Sequence, residues 1–491
     1  MRDIFRSFAK VGTSGLFTAF FGILSMRILA HRVGDSGIGL FAELREIQRI
    51  VVLLGTFGGG QAIIQGIASR TGEDRTRFSA EVLKLELLCF FVLAVIFILC
   101  APIASRAIFG NEHHTLLLIA MIGPVLAAIL MGYAVGMING RVLVAAFAIC
   151  QTVLAVFLWI FSYSLGNLAA KGNEFAYPLL LTIPFLASAL FGAFFLWKDG
   201  AFVRFSAAFA QKIKWFEIKI FLQIAGAMLI SQVLAAIVIL ALRTGLIRNF
   251  NLAVEGHFDS AWTVSMVYLT GIQSAFNVYY FPKLSANNSR EYRQDLTKNM
   301  MAMCSSIMVV ILVLLVLTRG GVINHLYGNQ FLPATKAMRW MLIGDLFRST
   351  GLFPTVLLIG RNFVKEFIIL EVLMNLLLLV VGFFGLYYTK IPLDLLGIAY
   401  AGGYLVRLVV SVYFVRKLRE FSIGPLLVTF WMIGLAAIVV ADLASWTAPL
   451  MPTKLGLASI ALLLMATSAL GLIFSARKSA GKSLGAVPQM P

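Results

Sequence analysis

The sequence predicts an all-α polytopic membrane protein of about 14 transmembrane helices, arranged as two six-helix lobes in parallel repeat plus a C-terminal helix pair. Composition is the first observation behind this. Hydrophobic residues make up 60% of the chain and charged residues 13%, and mean hydropathy is +0.92, which no soluble domain tolerates. The second is that Lys and Arg crowd alternate loops. The third is that one unit of roughly 215 to 220 residues is used twice.

Crossing about 30 Å of hydrocarbon takes about 20 apolar residues. Such stretches are centred near residues 20, 53, 93, 127, 153, 186, 230, 269, 308, 347, 376, 404, 433 and 465. The first has no small-residue cleavage site after it and belongs to the repeat, so it reads as a retained helix rather than a signal peptide. The 4 cysteines (Cys89, Cys100, Cys150 and Cys304) all fall inside these stretches. They read as small apolar residues, and no disulfide framework or metal site is expected.

The repeat is carried by landmarks in order. Phe109-Gly110-Asn111 returns as Tyr327-Gly328-Asn329, and Gly140-Arg141 returns as Gly360-Arg361. Between them stand Ile122-Gly123 and Ile343-Gly344, and earlier Arg27, Gly39 and Phe41 return as Arg243, Gly256 and Phe258. Six helices bring the chain back to its starting side, so the copies are parallel about an axis along the membrane normal. The expected lobes are residues 1–205 and 206–420, joined by the basic linker Lys198–Glu217, with 421–491 forming accessory helices and a polar tail.

Charge gives sidedness. Basic residues cluster at Arg2, Arg6 and Lys10, at Arg70, Arg75 and Arg77, along the linker, at Lys283, Arg290, Arg293 and Lys298, at Arg416, Lys417 and Arg419, and at Arg477, Lys478 and Lys482. The intervening loops hold little beyond Arg32, Arg106, Lys171, Arg248, Arg319, Lys390 and Lys454. The positive-inside rule therefore puts both termini in the cytoplasm. Most of the net charge of +18 is this topology signal. Because the basic residues lie in short separate loops, nucleic acid is not an expected partner.

A charged side chain at the bilayer centre costs at least about 2.5–3.5 kcal/mol on insertion scales, so each one needs a partner or a water-filled cavity. The second helix carries Glu43, Arg45, Glu46, Gln48 and Arg49, with Arg45 and Arg49 on one face and Glu46 and Arg49 at pairing distance. Helix ten repeats the theme with Lys336, Arg339, Asp345 and Arg348. Arginine beside carboxylate in each lobe predicts a cationic path suited to an anionic group, because guanidinium grips phosphate or carboxylate as a fork. The expected path residues are Arg45, Arg49, Arg348 and Arg339. Glu46 and Asp345, each three residues from an arginine, are the expected ion-coupling carboxylates. Arg27 and Arg243 are expected as snorkelling anchors near helix ends, and Glu371 with Arg407 as a structural ion pair.

The run Gly55, Gly58, Gly59, Gly60 has no strand before it and no Lys-Ser/Thr after it, so it is not a nucleotide loop. Close helix packing or a hinge accounts for it. No Ser-His-Asp set, paired catalytic carboxylates or metal-binding motif appears, and the loops are too short to fold a catalytic domain. The chain reads as a carrier rather than an enzyme, with no cofactor.

The segment from Gly34 through Gly37-Ile38-Gly39-Leu40, with Arg45, Arg49, Gly55 and Ile63, resembles the opening of Wzx-type flippases. So do Met338 to Arg348, Ile369-Leu370-Glu371-Val372 and Phe281-Pro282-Lys283-Leu284-Ser285. The likeness covers roughly residues 10–420 and is nearest to the branch that handles O-antigen units and enterobacterial common antigen. It implies a member of the multidrug/oligosaccharidyl-lipid/polysaccharide exporter superfamily. Such a protein moves an undecaprenyl-diphosphate-linked oligosaccharide from the cytoplasmic to the periplasmic leaflet of the bacterial inner membrane by alternating access. An ion gradient is the usual energy source, and the pathway's polymerase and chain-length regulator are the implied partners. Several relatives stop at twelve helices, so the count here also admits a lipid II flippase.

Two further readings compete. A drug or cation exporter of the same fold would favour carboxylates deep in the cavity, yet no carboxylate lies between Val11 and Ala30 and the second helix offers arginine. A membrane polymerase or ligase of lipid-linked sugars would need a large periplasmic loop, and it leaves the repeat unexplained.

Overall fold

The computed structural model describes residues 2–447 apart from 69, 202–208, 210–214, 287–288, 362, 390 and 422–423. The expected fourteenth helix, the polar tail, most of the basic linker and the 205/206 lobe boundary lie outside the described residues. What is described is helical: α1 Arg2–Gly55, α2 Gly60–Ala68, α3 Gly72–Phe109, α4 Thr115–Ala120, α5 Ile122–Gly140, α6 Val144–Ala170 and α7 Ala176–Lys198. After the linker follow α8 Trp215–Asn249, α9 Leu252–Ala286, α10 Arg290–Tyr327, α11 Ala334–Gly360, α12 Val364–Tyr388, α13 Pro392–Lys417 and α14 Pro425–Thr447.

Among the described residues, nine helices are long and apolar enough to cross a membrane. Their outward faces confirm the solvent. On α3, Leu88, Phe91, Val92, Val95, Leu99 and Ile103 are exposed while Phe78, Val82 and Phe90 are buried, the one-sided pattern of a helix with lipid on its open face. The eighth expected span, within α9, is not among the nine, because Ser260, Thr263, Ser265 and Tyr268 dilute its apolar run.

The first two spans depart from expectation. A loop was expected between them, but α1 runs through both and breaks only at Gly34 (φ 72°, ψ −172°), a conformation open to glycine because it has no Cβ. The second span then breaks after Gly55. Phe57 and Gly58 take φ values of 54° and 62°, Gly58 N–H donates to Leu53 O at 2.9 Å, and α2 restarts at Gly60. The glycine run is therefore a break between two helices, the hinge of the two expected readings, with Gly55 also close against Ile129.

The repeat is visible in the helix ends. α3 and α10 stop at Gly110 (φ 80°) and Gly328 (φ 99°), each a left-handed glycine that lets the chain turn away. α5 and α11 end at Gly140 and Gly360, and Arg141 and Arg361 each donate a backbone N–H back into the last turn at 3.1 Å. α7 packs on α5 and α6, and α13 packs on α11 and α12, the same pairing in each copy.

The helices group into two compact units: Met1–Asp259 with Leu326–Phe331, and Ser260–His325 with Leu332–Pro491. The first unit gathers α8 and the start of α9 onto α1 and α3. The physical cause lies at Gly39 and Gly256, equivalent positions of the two copies. A Cβ on Gly39 would collide with Leu252 O, and one on Gly256 would collide with Asp35 O and lie 3.2 Å from Gly39 N. The two glycines meet face to face, and backbone contact this close leaves no room for a side chain.

Candidate functional site

In the first unit, Arg243 on α8 is buried, 2% exposed. It donates to Asp259 at 2.7 Å and also to Glu255. The expected snorkelling role for Arg243 is thus overturned, because carboxylates one and two turns into α9 reach it and make deep burial affordable. Arg45 joins the same cluster, donating through Nη2 to Asp259 Oδ1 at 2.8 Å. Glu43 accepts from Thr244 at 2.9 Å. Arg49 and Glu46 pair as their spacing predicts, at 2.5 Å.

These arginines are not spent on their partners. The side chains of Arg45 and Arg49 are 37% and 48% exposed. Arg45 uses only Nη2 for its carboxylate, and Arg49 uses Nε and Nη2. Each therefore keeps guanidinium donors for an anion alongside its structural pair.

In the second unit, Asp345 on α11 is fully buried. It accepts from Ser265 at 2.7 Å, from Tyr400 at 2.6 Å and from Tyr268. The spacing suggested a direct pair with Arg348, but Tyr400 stands between them, its hydroxyl accepting from Arg348 Nη1 at 3.1 Å. The Arg348 guanidinium also lies 5.1 Å from the centre of the Tyr404 ring. Gly344 makes this possible: it presses directly on the Tyr400 ring and on the α13 backbone at Ala401. Glu371 and Arg407 form the expected ion pair, at 2.6 Å.

Arg339 goes elsewhere. It pairs with Asp442 of α14 at 2.5 Å, and Arg319 of α10 binds the same carboxylate. This set, in which Asp442 is buried and Arg339 partly exposed, ties α14 to α10 and α11, so the structure does not bring Arg339 together with Arg348 and Asp345.

Several partners escaped the sequence reading. Glu255, Asp259, Tyr268 and Tyr400 were not singled out there. Their signal was present only as hydroxyls and carboxylates along one weakly apolar span, α9, and at one position of α13. Among the described residues, no group of His, Cys, Asp and Glu side chains is arranged to hold a metal ion.

No family model matches the chain. In sequence it is similar to the Lipid III flippase of Escherichia coli (strain K12), with 24% identity over 380 residues, covering 73% of this chain and 86% of that protein. In fold it is similar to the Lipid II flippase MurJ in an inward closed conformation. That match has a TM-score of 0.72 and 11% identity, and covers 93% of this chain and 98% of the other. It is also similar to an inward-facing multidrug resistance MATE family transporter of the MOP superfamily (TM-score 0.67, 14% identity, 82% and 94% covered). The chain is thus an all-α, multi-pass membrane protein with the fold of MOP-superfamily transporters. These relatives are named as flippases and transporters.

Proposed function

We propose that this chain is a flippase that moves an undecaprenyl-diphosphate-linked oligosaccharide from the cytoplasmic to the periplasmic leaflet of a bacterial inner membrane. It would serve O-antigen, common-antigen or exopolysaccharide assembly. The observation that carries the reading is similarity across 86% of a protein named a Lipid III flippase. Arginines that keep unused donors support it, because a diphosphate is the group such forks grip best. In this reading the repeat lobes, 1–205 and 206–420, alternate access, and 421–491 is accessory. Arg45, Arg49 and Arg348 meet the diphosphate. Arg339, already engaged by Asp442, serves to dock α14. Asp345 and Glu46 are the candidate coupling carboxylates, and the pathway's polymerase and chain-length regulator are the partners.

Proteoliposomes loaded with a fluorescent undecaprenyl-diphosphate oligosaccharide test this, with leaflet position read by an impermeant quencher. Movement of the diphosphate lipid, with none of a cationic dye, is expected. Dye movement without lipid movement would overturn the reading in favour of a drug exporter. A lipid II flippase is the second reading, favoured by the fold match that covers 93% of the chain. Preference for a lipid carrying a peptide-substituted disaccharide would select it. Reporter fusions at Lys171 and Lys482 check sidedness, with periplasmic and cytoplasmic signals expected respectively.

A further inference from the structure

Glu86 lies on α3, roughly 13 Å beyond Arg77 at 1.5 Å rise per residue, and is 0% exposed. Neither carboxyl oxygen has a hydrogen-bond partner. Its place follows from the helix register. Val82 and Phe90, one turn before and after it, are buried on the same face, away from the lipid-facing residues of α3. Val82 packs in one apolar cluster with Tyr133 of α5, and Phe90 packs in another with Ile129, one turn away on α5. Glu86 therefore sits between two apolar clusters at the α3–α5 contact.

Among the described side chains, no cation answers it. Of the helices packed on α3, α2, α4 and α5 carry no charged residue. On α1, Arg45 and Arg49 are paired with Asp259 and Glu46. On α8, Arg243 holds Glu255 and Asp259, and Arg248 donates to Ala107 O. Among the described side chains, the titratable groups near Glu86 are Cys89 on its own helix and Tyr133. The Tyr133 hydroxyl already donates to Ser79 O at 2.9 Å.

An ionised carboxylate stranded in an apolar contact is far costlier than a neutral acid, which costs only about 1–3 kcal/mol by mutational measures. A metal ion would require several oxygens around it, about 6–8 for calcium, and among the described side chains only the Tyr133 hydroxyl, already donating to Ser79 O, lies near the two of Glu86. A proton requires one.

We propose that Glu86 is a proton-binding site. Its carboxyl is protonated in this conformation, and when α3 and α5 part the O–H proton passes to water, leaving a carboxylate that must be reprotonated before the contact can re-form. The inference rests on the carrier reading above, because a protonation tied to helix separation couples a proton gradient to the transport cycle. It adds a site on a helix where the sequence pointed to none.

Infrared difference spectroscopy of the reconstituted protein tests the proton itself. A carboxylic-acid C=O band is expected in the wild type, absent in Glu86→Gln and shifted in Glu86→Asp. An unchanged band in Glu86→Gln would overturn the proposal. Translocation of the fluorescent diphosphate lipid, with and without an imposed pH gradient, tests coupling. The wild type should be faster with the gradient, whereas Glu86→Gln should show equal rates, with gel filtration and melting confirming its fold. Full gradient stimulation in Glu86→Gln would reduce Glu86 to a static neutral acid. Stimulation by a sodium gradient alone would overturn the choice of proton. If the wild type moves no lipid, the flippase reading fails, and the infrared titration still decides the proton site.

Discussion

Asp259 in the first unit accepts from two guanidinium groups, Arg45 at 2.8 Å and Arg243 at 2.7 Å. Asp345 in the second accepts from hydroxyls, Ser265 and Tyr400 at 2.7 and 2.6 Å together with Tyr268. Both carboxylates are fully buried. The difference is what happens to charge when either is altered. Around Asp259, removing one member strands an opposite charge in a dry place. Around Asp345 the immediate partners are neutral, so the carboxylate can gain or lose a proton without orphaning a cation. The first arrangement suits a fixed joint and the second suits a centre whose charge changes during a cycle.

The largest expected effect is at the joint. Arg243→Leu leaves Glu255 and Asp259 buried without their shared cation and should lower stability by about 3–5 kcal/mol, read as a fall in melting temperature of the purified protein. Adding Glu255→Gln and Asp259→Asn to that variant should restore much of the loss. An unshifted melt in Arg243→Leu would dissolve the contrast between the two units.

Asp345→Asn should behave differently, changing stability by no more than about 1–2 kcal/mol because the amide oxygen can still accept from the hydroxyls. It should abolish gradient-stimulated translocation in vesicles. Normal stimulation would make the hydroxyl cage structural.

Next come the arginines with spare donors. Arg49→Ala and Arg348→Ala should each slow lipid translocation while the protein inserts at normal levels, and Lys should rescue in part because it keeps the charge and loses the fork. Wild-type rates in the double Ala variant would remove the diphosphate contact.

The smallest effect is expected at Arg339. Its loss leaves Asp442 with Arg319, so Arg339→Ala should cost about 1 kcal/mol in melting and leave translocation intact. A transport defect as large as that of Arg348→Ala would return Arg339 to the substrate path.

Much of the fold was legible in the chain. Most of the spans and the repeat were readable, and the repeated landmarks Gly110 and Gly328 turn out to end helices because they adopt φ values few other residues accept. The site was half legible. Glu46 with Arg49 and Glu371 with Arg407 were found, the first from helical spacing and the second from similar depth on neighbouring helices. The Asp345–Arg348 spacing misled, because Gly344 lets Tyr400 come in between. Arg243 misled for a related reason. Its depth was read from hydropathy alone, without the carboxylates that make burial tolerable.

Insertion into a bilayer is close to a sum along the chain, so sequence alone determined that this protein spans the membrane many times, and the repeat it carries. Which charge meets which is a different kind of quantity. Arg45 and Asp259 are 214 residues apart, and only the close crossing at Gly39 and Gly256 brings their helices within reach. Glu86 is the limiting case. Its isolation depends on the described side chains of the neighbouring helices offering no partner, a fact spread over several helices that becomes visible only once they are packed.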